Sequence, residues 1–98
     1  MPRELMSVKA LIHAHPDFVA VATDDIQKDE DIIAVFMDDN KETSVRSKED
    51  IALGHKIALR NIAKGEKVIE YGEVIGATTK DIATGVHVHT HNLKSLRW

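Results

Sequence analysis

A single, mostly β domain of short strands and turns is what this sequence predicts, and three observations carry the prediction. No window of eleven or more residues sustains an apolar period of 3.6, so no amphipathic helix is written into the chain. Glycines recur at intervals of four to eleven residues from Gly54 to Gly85, which breaks the second half into short segments. An eight-residue pattern also occurs three times. Asp25-Ile26-Gln27-Lys28-Asp29-Glu30-Asp31-Ile32 matches Asn61-Ile62-Ala63-Lys64-Gly65-Glu66-Lys67-Val68 and Asp81-Ile82-Ala83-Thr84-Gly85-Val86-His87-Val88. Each copy reads as a buried isoleucine, a tight turn and the start of a new strand. Gly65 and Gly85 supply positive φ, and Asp29, one of the few residue types that visits that region, replaces them in the first copy. The uneven spacing of the copies excludes a solenoid.

Taken in order, Val8 to His13 reads as a strand ending in His-Ala-His-Pro, with Pro16 and Asp17 as the turn. Phe18 to Thr23 and Ile32 to Met37 are further apolar runs, the latter closed by Asp38, Asp39 and Asn40, which tolerate turn geometry. Thr43 to Arg46 is the return strand of that hairpin. Ser47 to Leu53 fits one helical turn, with Ser47 as cap and Asp50 three residues on. Lys56 to Arg60 and Lys67 to Tyr71 are strands separated by the Lys64-Gly65 turn, with Tyr71 in the core and Gly72 as a break before Val74 and Ile75. The third corner launches the stretch Gly85 to Asn92. The domain is expected to span residues 1–92, leaving 93–98 as a tail. Its Trp98 is either a disordered end or an anchor on a partner.

A chain of 98 residues supports one domain and one modest core. The net charge of −3, scattered Lys and Arg, and scarce aromatics argue against nucleic acid as a partner. The absence of cysteine removes disulfides, thiolate nucleophiles and cysteine zinc sites. No apolar run approaches the roughly 20 residues of a membrane span, and residues 1–7 carry no signal-peptide pattern. A soluble cytoplasmic protein is the expectation.

The chemistry concentrates in Gly85-Val86-His87-Val88-His89-Thr90-His91-Asn92. On an extended strand His87, His89 and His91 line one face. Adjacent members stand about 6.5–7 Å apart at Cα and the outer pair about 13 Å, so two converge on one ion more readily than three unless the strand bends. Neutral imidazole is a common metal ligand. The third histidine then contacts substrate or moves a proton. The alternative is a solvated polar strand face. Gly54-His55-Lys56 is a second candidate: His55 suits proton transfer, and Lys56 either orients a carboxylate or faces solvent. Asn92 either bonds a substrate hydroxyl, holds a histidine tautomer or caps the strand. His13 and His15 read as a surface strand end.

Gly54-His55-Lys56-Ile57-Ala58-Leu59, Ile62-Ala63-Lys64-Gly65-Glu66, Val68-Ile69-Glu70-Tyr71-Gly72, Ile75-Gly76 and His87-Val88-His89-Thr90-His91-Asn92 together resemble the SAF-type domain of the altronate dehydratase, galactarate dehydratase and (2R)-sulfolactate sulfo-lyase family. Val19-Ala20-Val21-Ala22 with Asp25-Ile26 is similar to the family's first strand and corner, and 93–98 to its stand-alone small subunits. The resemblance implies a β-clip fold and a lyase acting on hydroxy acids. It also implies a divalent metal, iron(II) or manganese, and a large partner chain carrying most of the active site. On this reading His55, His87, His89 and His91 are catalytic, with His89 and His91 on the metal, and Lys56 and Asn92 bind substrate. The large portion of the fused enzymes is expected on a separate polypeptide. The competing class is a non-catalytic SAF-type module that binds carbohydrate or a partner, as related domains do.

Overall fold

The computed structural model describes residues 6–95, and no helix occurs among them. Nine short strands form: β1 Ser7–Ile12, β2 Val19–Ala22, β3 Asp31–Phe36, β4 Glu42–Arg46, β5 Lys56–Ala58, β6 Lys67–Glu70, β7 Glu73–Thr78, β8 His87–Val88 and β9 Leu93–Ser95. Six of them make a curled sheet in the order β4-β3-β1-β2-β5-β8, and three make a second sheet in the order β6-β7-β9. Only β1 and β3 run parallel; the other pairs are antiparallel.

The three expected corners are present and share one backbone. Their isoleucines, Ile26, Ile62 and Ile82, are buried. Asp29, Gly65 and Gly85 all take positive φ, at 69°, 82° and 88°. A fourth copy escaped the sequence reading: Asp50-Ile51-Ala52-Leu53-Gly54-His55-Lys56-Ile57 has the same buried isoleucine and the same positive φ, at Gly54. The expected helical turn over Ser47 to Leu53 is therefore wrong. Ser47 is fully buried and its hydroxyl donates to the Glu49 carbonyl, so it caps no helix.

The corners clasp each other in pairs. Ile26 bridges Ile51, and Ile62 bridges Ile82. Within the first pair, Asp25 Oδ1 accepts the Leu53 N–H and Asp50 Oδ1 accepts the Lys28 N–H. Within the second, Asn61 Oδ1 accepts the Thr84 N–H and Asp81 Oδ1 accepts the Lys64 N–H. Each lead residue thus satisfies a turn donor of its mate, which explains why Asp or Asn opens every copy. The buried isoleucines seed two cores. One joins Ile12, Ile26, Ile32, Ile51 and Ile57 with the alanines of β1 to β3. The other joins Val19, Ile62, Val68, Ile82 and Val88. The β5–β8 pairing, with Ile57 opposite His87, joins the two pairs of corners.

Two further expectations change. Tyr71 is 65% exposed rather than in the core. It and Gly72 form the tight β6–β7 turn with φ of 58° and 70°, and both their N–H groups donate to the buried Asp17 carboxylate. Residues 93–95, assigned by sequence to the tail, instead form β9 against β7. Leu96, Arg97 and Trp98, and with them the expectation for Trp98, lie outside the described residues.

Candidate metal and substrate site

His55 and His87 reach the site from different corners. His55 is the sixth residue of the corner Asp50–Ile57 and His87 the seventh of the corner Asp81–Val88. The β5–β8 pairing brings them side by side, with His55 Nδ1 2.9 Å from His87 Nε2. In that contact one ring donates and the other accepts.

The extended strand expected across Gly85 to Asn92 stops after Val88. Asn92 is the reason. Its buried side chain accepts the His89 N–H on Oδ1 (2.9 Å) and donates from Nδ2 to the His87 carbonyl (2.8 Å). The N–H groups of Asn92 and Leu93 both donate to the His89 carbonyl. Chain 89–92 is thereby tied into a turn, and the period-two face of three imidazoles does not form. The bend carries the His89 ring to 4.8 Å from that of His55 and stacks it at 5.5 Å from that of His87. One nitrogen each from His55, His87 and His89 lies within 4.8 Å of the other two. His91 stays exposed, its ring 5.3 Å from that of His87, and does not join that group.

The electrostatics suit metal binding. Burial is the largest influence on His87 and lowers its pKa below the ordinary 6.5. The neighbouring His55, His91 and His89 charges push the same way, and Glu49 opposes them. Partial burial and neighbouring imidazoles both favour the neutral form of the His87 ring, which keeps a lone pair for a ligand bond. Two nitrogens bound to one ion at about 2.1 Å stand roughly 3 Å or more apart, close to the His55–His87 separation. Three imidazole donors suit iron or zinc better than the harder ions that prefer oxygen. The residues present therefore fit a divalent ion held by His55, His87 and His89, a set that differs from the His89 and His91 pair read from sequence.

An open cleft of about 750 Å³ adjoins the cluster, lined in part by Lys56, Glu70, Glu73, Ile75, Val88 and His89. Lys56 reaches it from β5 and lies 3.8 Å from Glu70 Oε1. Both ends of the Asn92 amide, expected on substrate, are taken up by the backbone of His87 and His89. Sequence reasoning passed over Glu70 and Glu49. Glu70 was legible: in Val68-Ile69-Glu70 alternation puts it on the buried face with Val68, as observed. Glu49, whose Oε1 accepts the His87 N–H, carries no such signal.

The structure is thus an all-β domain of clasped corners that presents an imidazole cluster beside an open cleft. Comparison with known proteins makes this specific. The family described as altronate/galactarate dehydratase SAF domain matches residues 8–96, and the chain belongs to that family. It is 34% identical over 94 residues to the (2R)-sulfolactate sulfo-lyase subunit alpha of Chromohalobacter salexigens, covering 95% of this chain and all of that one. It is 43% identical over 67 residues to the same subunit of Paracoccus pantotrophus, covering 68% of this chain and all of that one. Against the altronate dehydratase of Escherichia coli it is 46% identical over 84 residues, or 86% of this chain but 16% of the relative. The expected SAF fold and family are thus confirmed, and the named relatives are lyases. No helix among the described residues is long and apolar enough to cross a membrane.

Proposed function

We propose that this chain is the small subunit of a metal-dependent lyase that eliminates water or sulfite from a hydroxy acid, at a site completed by a large partner subunit. One observation carries the reading: His55 from one corner and His87 and His89 from another bring one nitrogen each within 4.8 Å of the other two, beside a cleft that His89 lines together with a lysine. The similarity to chains named subunit alpha supports a partner. The similarity to a dehydratase and to a sulfo-lyase supports elimination beside a carboxylate.

Such a reaction needs a base for the proton next to the carboxylate, an acid for the leaving group, and positive charge where negative charge builds up. A divalent ion, iron(II) or manganese with the donor set favouring iron, supplies that charge as a Lewis acid. His55, His87 and His89 would hold it. Lys56 receives the substrate carboxylate in the cleft. His91, exposed beside His87, is the candidate proton carrier. Asn92 keeps His87 and His89 in register.

The test is the complex of this chain with its large partner, assayed on (2R)-sulfolactate, altronate and galactarate with metal content measured. Replacing His55 and His89 together by Ala is expected to remove the metal and lower turnover by at least about 100-fold. Full turnover in that variant would rule the assignment out and leave a binding module.

A further inference from the structure

We propose that Glu70, backed by His13, is a positioning residue that holds the Lys56 ammonium in the cleft beside His89, where it meets the carboxylate of the substrate. The inference rests on the reading of that cleft as the substrate's seat.

Glu70 is only 8% exposed, on the inward face of β6. A carboxylate is a poor choice for such a position unless it has work to do. Its Oε1 lies 3.8 Å from Lys56 Nζ and its Oε2 3.7 Å from His13 Nε2. Neither distance is a hydrogen bond. Oε2 and His13 Nδ1 are both buried and have no hydrogen-bond partner. The fold therefore accepts a buried carboxylate oxygen without a hydrogen bond here.

His13 has a packing partner of its own. Its ring stacks on Tyr71 at 3.7 Å and 14°, and Tyr71 is anchored through its N–H to Asp17. Glu70 thus lies between His13, stacked on Tyr71, and Lys56. The Lys56 backbone is held in β5 between Val21 and Val88. Only its flexible stem needs restraint, and a lysine stem loses much rotamer freedom when held. The long separation matters. At 2.8 Å, as between Lys9 and Glu30, an ion pair saturates an ammonium donor. At 3.8 Å the carboxylate aims the ammonium but leaves its three N–H donors for an incoming anion.

Two measurements decide the matter. In the full chain alone, ¹³C relaxation at lysine Cε is expected to show Lys56 more restricted than the exposed Lys28 and Lys64, and Glu70→Gln is expected to erase that difference. If Glu70→Gln does not fold, Glu70→Asp keeps the charge, withdraws it by one methylene, and serves the same purpose. Unchanged restriction of Lys56 in the folded variant overturns the proposal. In the assembled lyase, Glu70→Gln and Lys56→Met are each expected to raise KM about tenfold with kcat within about twofold, and the double variant to be no worse than Lys56→Met. Additive effects mean that Glu70 acts on its own and overturn the proposal. If the wild-type complex acts on no hydroxy acid, the lyase reading fails, while the relaxation experiment still decides the role of Glu70.

Discussion

Asn92→Ala tests how the imidazole cluster is built. The side chain is 2% exposed, and it satisfies the His89 N–H and the His87 carbonyl at once. Truncation leaves both backbone groups without that partner. An unsatisfied buried polar group costs about 1–3 kcal/mol, so the pair costs about 2–5 kcal/mol after partial rescue by water. For a domain near 100 residues, each kcal/mol lowers Tm by roughly 4–8 °C, giving a drop of about 8–40 °C. Asn92→Asp is the sharper variant. It keeps the acceptor for the His89 N–H but sets a carboxylate oxygen against the His87 carbonyl. It is therefore expected to be at least as harmful despite its matched shape. Urea denaturation followed by circular dichroism reads the stability, and a cobalt(II) titration reads the cluster. If Asn92→Ala costs less than about 0.5 kcal/mol and cobalt affinity is unchanged, the turn does not depend on this amide and the account of the bend is wrong.

Three further outcomes are expected. In cobalt(II) titrations of the chain, His55→Ala and His87→Ala should each weaken binding at least tenfold and His91→Ala by less than about threefold; equal losses refute the ligand set. Gly65→Ala and Gly85→Ala both force an alanine to positive φ, at about 1–2 kcal/mol, but only at Gly85 does the new Cβ collide with a neighbour, the Arg46 carbonyl oxygen. Urea midpoints should therefore show Gly85→Ala to be the more damaging by at least about 1 kcal/mol. Finally, the metal-free His87 ring should titrate below 6.5 by NMR. Because its folded pKa is the lower one, the unfolded chain takes up the proton first. Stability is then lost as pH falls from about 6.5 toward the folded midpoint, and His87→Gln should flatten that part of the curve.

The corners were legible because the left-handed turn position and the buried isoleucine are local requirements, met by Gly65 and Ile62 within one short window. The fourth copy was missed for a chemical reason: Ser47 followed by Asp50 imitates a helix cap, while the turn that Asp50 actually closes belongs to Lys28, 22 residues away. The histidine site was half legible. That His87 and His89 carry chemistry follows from their density, but their arrangement depends on Asn92 reaching back three and five residues. Periodicity is blind to such a side-chain tie. The union of His55 with His87 depends on sheet pairing across 32 residues, which no local pattern encodes. Glu70 was within reach, since alternation along β6 points it inward.

Because every corner borrows its closing acceptor from its mate, across 17 to 28 residues, no turn is finished when its own residues have been laid down. Folding must bring distant segments together before either of them gains, the regime in which chains of this size fold slowly. His55 belongs to one such embrace and His87 to the other. His55 can meet His87 and His89 only after both have closed and docked, so the three-imidazole cluster belongs to the finished fold alone.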